Sequence, residues 1–76
     1  MRLRVLKALA ARPMNAHQLA KELGVDYKTA RHHLDVLERN GLVERAGEGY
    51  GALYMVSDAL RRNWGLVEEA ERYLDP

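Results

Sequence analysis

The chain has 76 residues, no cysteine and a formal net charge of +1, which suits one domain burying only about 60–65% of its unfolded surface and marginally stable as a lone monomer. The lack of cysteine excludes disulfides, thiolate metal sites and a cysteine nucleophile. No apolar run approaches the roughly 20 residues that span a bilayer, and the N-terminus lacks the apolar segment of a signal peptide, so a cytoplasmic protein is expected.

The charge is unevenly placed. Residues 1–31 carry seven basic and two acidic side chains (+5), whereas residues 32–76 carry five basic and nine acidic ones (−4). A basic front and an acidic back suit docking on phosphates with one face, although both halves are also compatible with plain solvated helix surface.

In chain order, residues 2–11 predict a first helix, with Leu3, Leu6 and Ala10 in one stripe and Val5 and Leu9 beside it. That arc is wider than one small domain needs. Arg12-Pro13 ends the helix, because proline disfavours helical geometry in the residue before it. Asn15 is a good N-cap for a second helix over 16–23, whose Ala16, Leu19, Ala20 and Leu23 share a face. Gly24 follows where a left-handed residue would stop it, Val25 plugs the corner, and Asp26 caps a third helix over 27–40. Ala30, Leu34 and Leu37 are the buried side of that helix, and Asn40-Gly41 terminates it. Two helices joined by so short a turn cross steeply and push the exposed face of the second outward, the geometry of a DNA-reading helix-turn-helix.

Residues 42–56 predict a hairpin, with Leu42 to Arg45 as one strand, a glycine-rich turn through Gly51, and Ala52 to Val56 returning. Such a hairpin needs the helices to pack on. Ser57 or Asp58 caps a last helix over 58–74, where Leu60, Trp64, Val67, Ala70 and Leu74 recur at helical spacing and Leu66 and Tyr73 widen the stripe. Gly65 inside it permits either close helix contact or a kink.

The run Thr29-Ala30-Arg31-His32-His33-Leu34, together with Ala20, Gly24, Leu37, Asn40-Gly41-Leu42-Val43, the glycine-rich turn and Tyr54-x-Val56, resembles winged helix-turn-helix transcriptional regulators of the ArsR/MarR type over residues 2–60. The resemblance implies a mainly α fold with a small β-hairpin (α+β): a three-helix core, a wing and a C-terminal helix. It also implies a short extended segment near Pro13 and Met14 that completes a three-stranded sheet, and terminal helices paired across a two-fold axis. The function it implies is sequence-specific binding of double-stranded DNA by a homodimer. The alternative is a winged helix used as a protein–protein interaction module.

On this basis the expected DNA-binding residues are Lys21, Tyr27, Lys28, Thr29, Arg31, His32, Asp35, Arg45 and Tyr50. Arg31 leads as base reader, since a guanidinium can bond guanine O6 and N7 together; its competing role is an ion pair with Asp35 at i+4. Lys28 and Thr29 suit phosphates. Tyr27 fits a phosphate, a thymine methyl or packing on the turn. His32 stands at a position often arginine in the family. The wing departs from the family pattern, with Glu48 at its tip where a base is usual, leaving Arg45 and Tyr50 as its DNA-facing groups or the wing as a structural hairpin. Leu3, Leu6, Leu60, Trp64, Val67 and Leu74 are the expected dimer interface. Adjacent His32 and His33 point about 100° apart on a helix, so no metal site is expected, and His33 is expected half-buried and bonded to backbone or to a neighbouring helix. Ser57, the only serine, and Glu68, Glu69 and Glu71 form no catalytic grouping. Neither cofactor, membrane partner nor small-molecule effector is indicated.

Overall fold

Local capping chemistry sets the starts of the second and third helices, and a proline ends the first. The computed structural model describes residues 1–74, with side chains through Glu69. Helix α1 (Arg2–Ala11) ends at Arg12, which is extended (φ −168°, ψ 151°) ahead of Pro13. In α2 (Ala16–Leu23), Asn15 and Gln18 form a reciprocal capping box: the Asn15 side chain accepts from the Gln18 N–H at 2.8 Å, and the Gln18 side chain accepts from the Asn15 N–H at 2.9 Å. Helix α3 (Tyr27–Arg39) starts on Asp26, whose carboxylate accepts from the Thr29 N–H at 2.7 Å.

Both α2 and α3 stop in the same way. Gly24 (φ 71°) and Gly41 (φ 75°) take the left-handed conformation. Gly24 and Val25 donate back to the Lys21 and Ala20 carbonyls; Gly41 and Leu42 donate to those of Glu38 and Leu37. These paired bonds satisfy carbonyls that a helix end otherwise leaves orphaned. A methyl added at Gly24 would meet nothing within 4 Å, so a Gly24→Ala change acts through the backbone alone. It is expected to destabilise the chain by about 1–2 kcal/mol and to lower the thermal midpoint by roughly 4–8 °C per kcal/mol, as thermal denaturation would show.

Strands β1 (Val43–Ala46) and β2 (Leu53–Val56) pair antiparallel, with Val43 opposite Val56 and Ala46 opposite Leu53. Ala52, Tyr54 and Val56 turn inward, while Leu53 lies outside. Met14 adds a single bridge on the far side of β2, exchanging bonds of 3.1 and 2.8 Å with Tyr54. The extended link implied by the family resemblance is thus one residue pair long. It ties the start of the helix-turn-helix to the hairpin.

The core lies between the three helices and the inner face of the hairpin. Val5 and Leu9 of α1, Leu19 of α2, Ala30 and Leu34 of α3, and Met14 are all at most 1% exposed. Within α1 the stripe is centred differently from the expected Leu3–Leu6–Ala10 line. Val5, Leu6 and Leu9 face inward, Leu3 is half-buried and Ala10 is exposed. A wide apolar arc does not by itself say which of its edges meets the core.

The C-terminal segment also differs from the single helix expected over 58–74. It forms α4 (Asp58–Arg62), capped by Ser57 accepting from the Leu60 N–H at 3.2 Å, and α5 (Trp64–Leu74). The break is at Asn63, whose side chain donates to the Ala59 carbonyl at 2.8 Å while its backbone N–H turns to the Leu60 carbonyl. Gly65 is neither the break nor a close contact, since a methyl placed there would meet nothing within 4 Å. Outside the hydrogen bonds of β2, Glu44 on β1 accepts from the Asp58 N–H at 3.4 Å, tying hairpin and α4.

Candidate nucleic-acid interface

Burying Ala30, Leu34 and Leu37 turns two stripes of α3 away from the core. Lys28, His32 and Arg39 are exposed, at spacings of four and seven residues, and make the open stripe. Beside it run Tyr27, Arg31, Asp35 and Glu38, all half-buried, on the side where the hairpin lies. Thr29 is half-buried at the first turn, and Lys21 is exposed on α2 next to Arg12, Gln18 and Glu22 around a shallow hollow of about 420 Å³.

Arg31 is held rather than free. Its Nε donates to Asp35 at 3.0 Å and its Nη1 to the Tyr27 hydroxyl at 3.4 Å. The bond to Asp35, then that to Tyr27, raise the Arg31 pKa above the ordinary arginine value, so its charge is permanent. Asp35 occupies the Nε side and leaves Nη2 unbonded by these partners. An end-on match to guanine O6 and N7 uses Nη1 and Nη2, and of these Nη1 also meets the Tyr27 hydroxyl. The ion pair that competed with base reading in the sequence is therefore present, and it occupies Nε. At the cap below, bonds from Thr29 and, more weakly, the Lys28 charge keep the Asp26 carboxyl below its usual pKa.

The hairpin lies along α3. Near one end Arg45 meets Glu38 at 3.6 Å. At the other, Tyr50 in the 3-10 turn Gly49–Gly51 folds back onto the first turns of α2 and α3. There His17 stacks on Tyr27 with ring centroids 4.3 Å apart and 26° between planes, and Tyr50 stands 5.7 Å from Tyr27 and 5.8 Å from His17. Tyr50 is nevertheless 72% exposed, and Glu48 is exposed beside it. Arg45 is thus paired with a carboxylate, and Tyr50 sits against the helix-turn-helix. Sequence reasoning missed Arg39, His17 and Glu38. Arg39 follows from the spacing of Lys28 and His32, whereas nothing local marks His17 as a neighbour of Tyr50.

Of the residues expected at a dimer contact, Leu6 (7%) and Val67 (8%) are already buried within the protomer. Leu3 is half-buried, and Leu60 and Trp64 pack half-buried against the core. Leu66, expected only at the stripe's edge, is 64% exposed. The side chains of Ala70, Tyr73 and Leu74 lie outside the described residues.

His33 is half-buried as expected, and its Nδ1 is buried with no hydrogen-bond partner, so that nitrogen does not make the expected bond. Burial first, then Arg2, His32 and the N-terminal amine, lower its pKa. The unfolded chain, titrating near roughly 6.5, therefore binds the extra proton. Stability is full above that pH and declines as pH falls through the window below it. Replacing His33 by leucine is expected to remove this decline below about pH 6.5, as urea unfolding would show; the Asp26 carboxyl, its own pKa lowered, acts only at more acid pH. Among the described residues no three histidine, aspartate or glutamate side chains gather to hold a metal, and no helix is long and apolar enough to cross a membrane.

Comparison with solved structures places this architecture. The homodimeric winged helix-turn-helix DNA-binding domain of a possible ArsR-family transcriptional regulator from Mycobacterium bovis is 30% identical, with a TM-score of 0.81 over 97% of this chain and 70% of that one. Reduced HlyU from Vibrio cholerae is 24% identical, with a TM-score of 0.74 over 99% of this chain and 77% of its own. FabT from Streptococcus pneumoniae, solved in complex with DNA, is 21% identical, with a TM-score of 0.75 over 93% of this chain and 52% of its own. The last two speak for the fold alone, which is the winged helix-turn-helix. No curated protein sequence matches the chain. The model of the bacterial regulatory protein arsR family matches residues 1–45, from α1 through most of β1 and more than half of the 76 residues. Sequence match and fold agree, and the chain belongs to the ArsR family of bacterial transcriptional regulators.

Proposed function

We propose that this chain is a cytoplasmic, homodimeric regulator of transcription that reads duplex DNA by laying α3 in the major groove. The open stripe of α3 carries this reading: Lys28, His32 and Arg39 stand exposed on the side opposite buried Ala30, Leu34 and Leu37. Lys28, Thr29 and Lys21 hold phosphates, which fixes position without choosing sequence. Arg31 reads a guanine through its Nη edge while Asp35 keeps its Nε, and His32 lines the same groove. Tyr27, Tyr50 and Arg45 border the site on the hairpin side. The related Mycobacterium bovis domain is described as homodimeric and DNA-binding. A dimer joined through Leu3, Leu60, Trp64 and Leu74, with exposed Leu66 beside them and buried Leu6 and Val67 packed beneath, would present two α3 helices to major grooves roughly 34 Å apart.

One observation favours a second reading as a protein-interaction module: exposed Glu48 at the hairpin tip repels phosphate, and Arg45 is neutralised by Glu38. Selection from random duplexes followed by salt titration separates the two. DNA reading predicts enrichment of two-fold-related half-sites and a log–log salt slope of about −0.9 per phosphate contacted. No enriched site, or an affinity indifferent to salt, supports the interaction module instead.

A further inference from the structure

We infer that the hairpin tip governs base selection at a distance: Tyr50 is a positioning residue for Arg31, acting through the ring and hydroxyl of Tyr27. The inference rests on the reading of α3 as the DNA helix. Tyr27 is gripped by His17 of α2, stacked at 4.3 Å, and by Tyr50 of the 3-10 turn at 5.7 Å and 51°. The 5.7 Å separation lies in the range where aromatic pairs attract, and the His17 stack is slightly closer than that range. The ring held in this way puts its hydroxyl 3.4 Å from Arg31 Nη1, while Asp35 takes Nε at 3.0 Å.

The consequences differ for the two ends of the guanidinium. A lone arginine on a helix surface samples many rotamers and must give them up on binding, whereas one held from two sides arrives pre-ordered. Asp35 alone fixes one end and leaves the plane free to swing about that bond. The Tyr27 contact is long, so it steers the plane rather than anchoring it. Tyr50 matters because it brings the hairpin tip into this chain of contacts. A hairpin tip that carries exposed Glu48 is poorly built to grip phosphate. Folded back on Tyr27, the same tip supports the base reader instead. Tyr50 is 72% exposed, so it can be changed without opening the core.

The test has an arm without DNA and an arm with it. In the free protein, exchange of the Arg31 Nη protons with water is followed by NMR at low temperature in wild type, Tyr50→Ala, Tyr50→Phe and Tyr27→Phe, because Nη1 is the nitrogen that Tyr27 holds. Tyr50→Ala and Tyr27→Phe are expected to speed exchange about two- to tenfold, the weight of one aromatic pair, while Tyr50→Phe keeps the wild-type rate. Exchange in Tyr50→Ala that matches wild type overturns the inference. On a selected duplex, the preference at the base pair whose identity Arg31→Ala ceases to read should fall about two- to tenfold in Tyr50→Ala, with the salt slope unchanged and Tyr50→Phe unaffected. A uniform loss on all duplexes with a shallower slope makes Tyr50 a phosphate contact and overturns the inference. If Arg31→Ala loses no base preference at all, the reading of α3 fails, and the exchange arm still decides whether Tyr50 positions Arg31.

Discussion

Replacing Leu34 by alanine is expected to destabilise the protein by about 2–5 kcal/mol. Leu34 has no exposed surface and sits at the middle of the buried side of α3, among Val5, Leu19 and Leu37 of the same core. Removing its three outer carbons forfeits the transfer free energy and leaves a cavity that close-packed neighbours fill only in part. A domain of this length has a total stability of roughly 4–11 kcal/mol at about 0.05–0.15 kcal/mol per residue. The variant should therefore be partly unfolded at moderate temperature, in a chemical denaturation curve with a lowered midpoint. Leu66→Ala is the contrast. Its side chain is 64% exposed, so unfolding of the protomer should shift by no more than about 0.5 kcal/mol, while the concentration needed for dimerisation rises if α5 forms the contact.

Arg31→Ala is expected to reduce specific binding by about 1–3 kcal/mol, or roughly 5- to 150-fold, and to relax selection at one base pair in each half-site. The effect should be confined to that position because the proposed phosphate contacts fall on other side chains, Lys21, Lys28 and Thr29. Lys28→Ala is its complement, weakening binding to every duplex alike and making the salt slope shallower by about 1 for each phosphate no longer neutralised. Asp35→Ala should fall between the two. It leaves the Arg31 charge in place but removes the 3.0 Å bond to Nε that orients the guanidinium, so preference at the Arg31 position drops while the salt slope stays the same. Competition binding against duplexes altered one base pair at a time reads all three outcomes.

What the sequence disclosed was the chemistry that acts over three or four residues. Asn15, Asp26 and Ser57 bond the N–H three positions ahead of them, and Gly24 and Gly41 close α2 and α3 with bonds confined to one turn. The Arg31–Asp35 pair is of the same kind, one helical turn apart, and its i+4 spacing alone makes it legible as an alternative to base reading. The break at Asn63 is not legible in this way, because Leu60, Trp64 and Val67 keep their helical spacing across it and a single interrupted residue barely disturbs the phase. The contacts that shape the candidate site are harder still. His17, Tyr27 and Tyr50 meet across separations of 10 and 23 residues, and Arg45 meets Glu38 only because β1 returns along α3. Periodicity reports which side of an element is apolar; it does not report which polar side chain of a later element will arrive there.

Backbone amide shift mapping, with a selected duplex titrated into the labelled protein, tests the central claim most directly. The account predicts that the largest changes run from Tyr27 to Arg39 along α3, with a lesser set at Lys21 and the first turn of α2 and almost none on the buried side of α1. Changes gathered on α5 and the outer face of β2, with α3 silent, would contradict it.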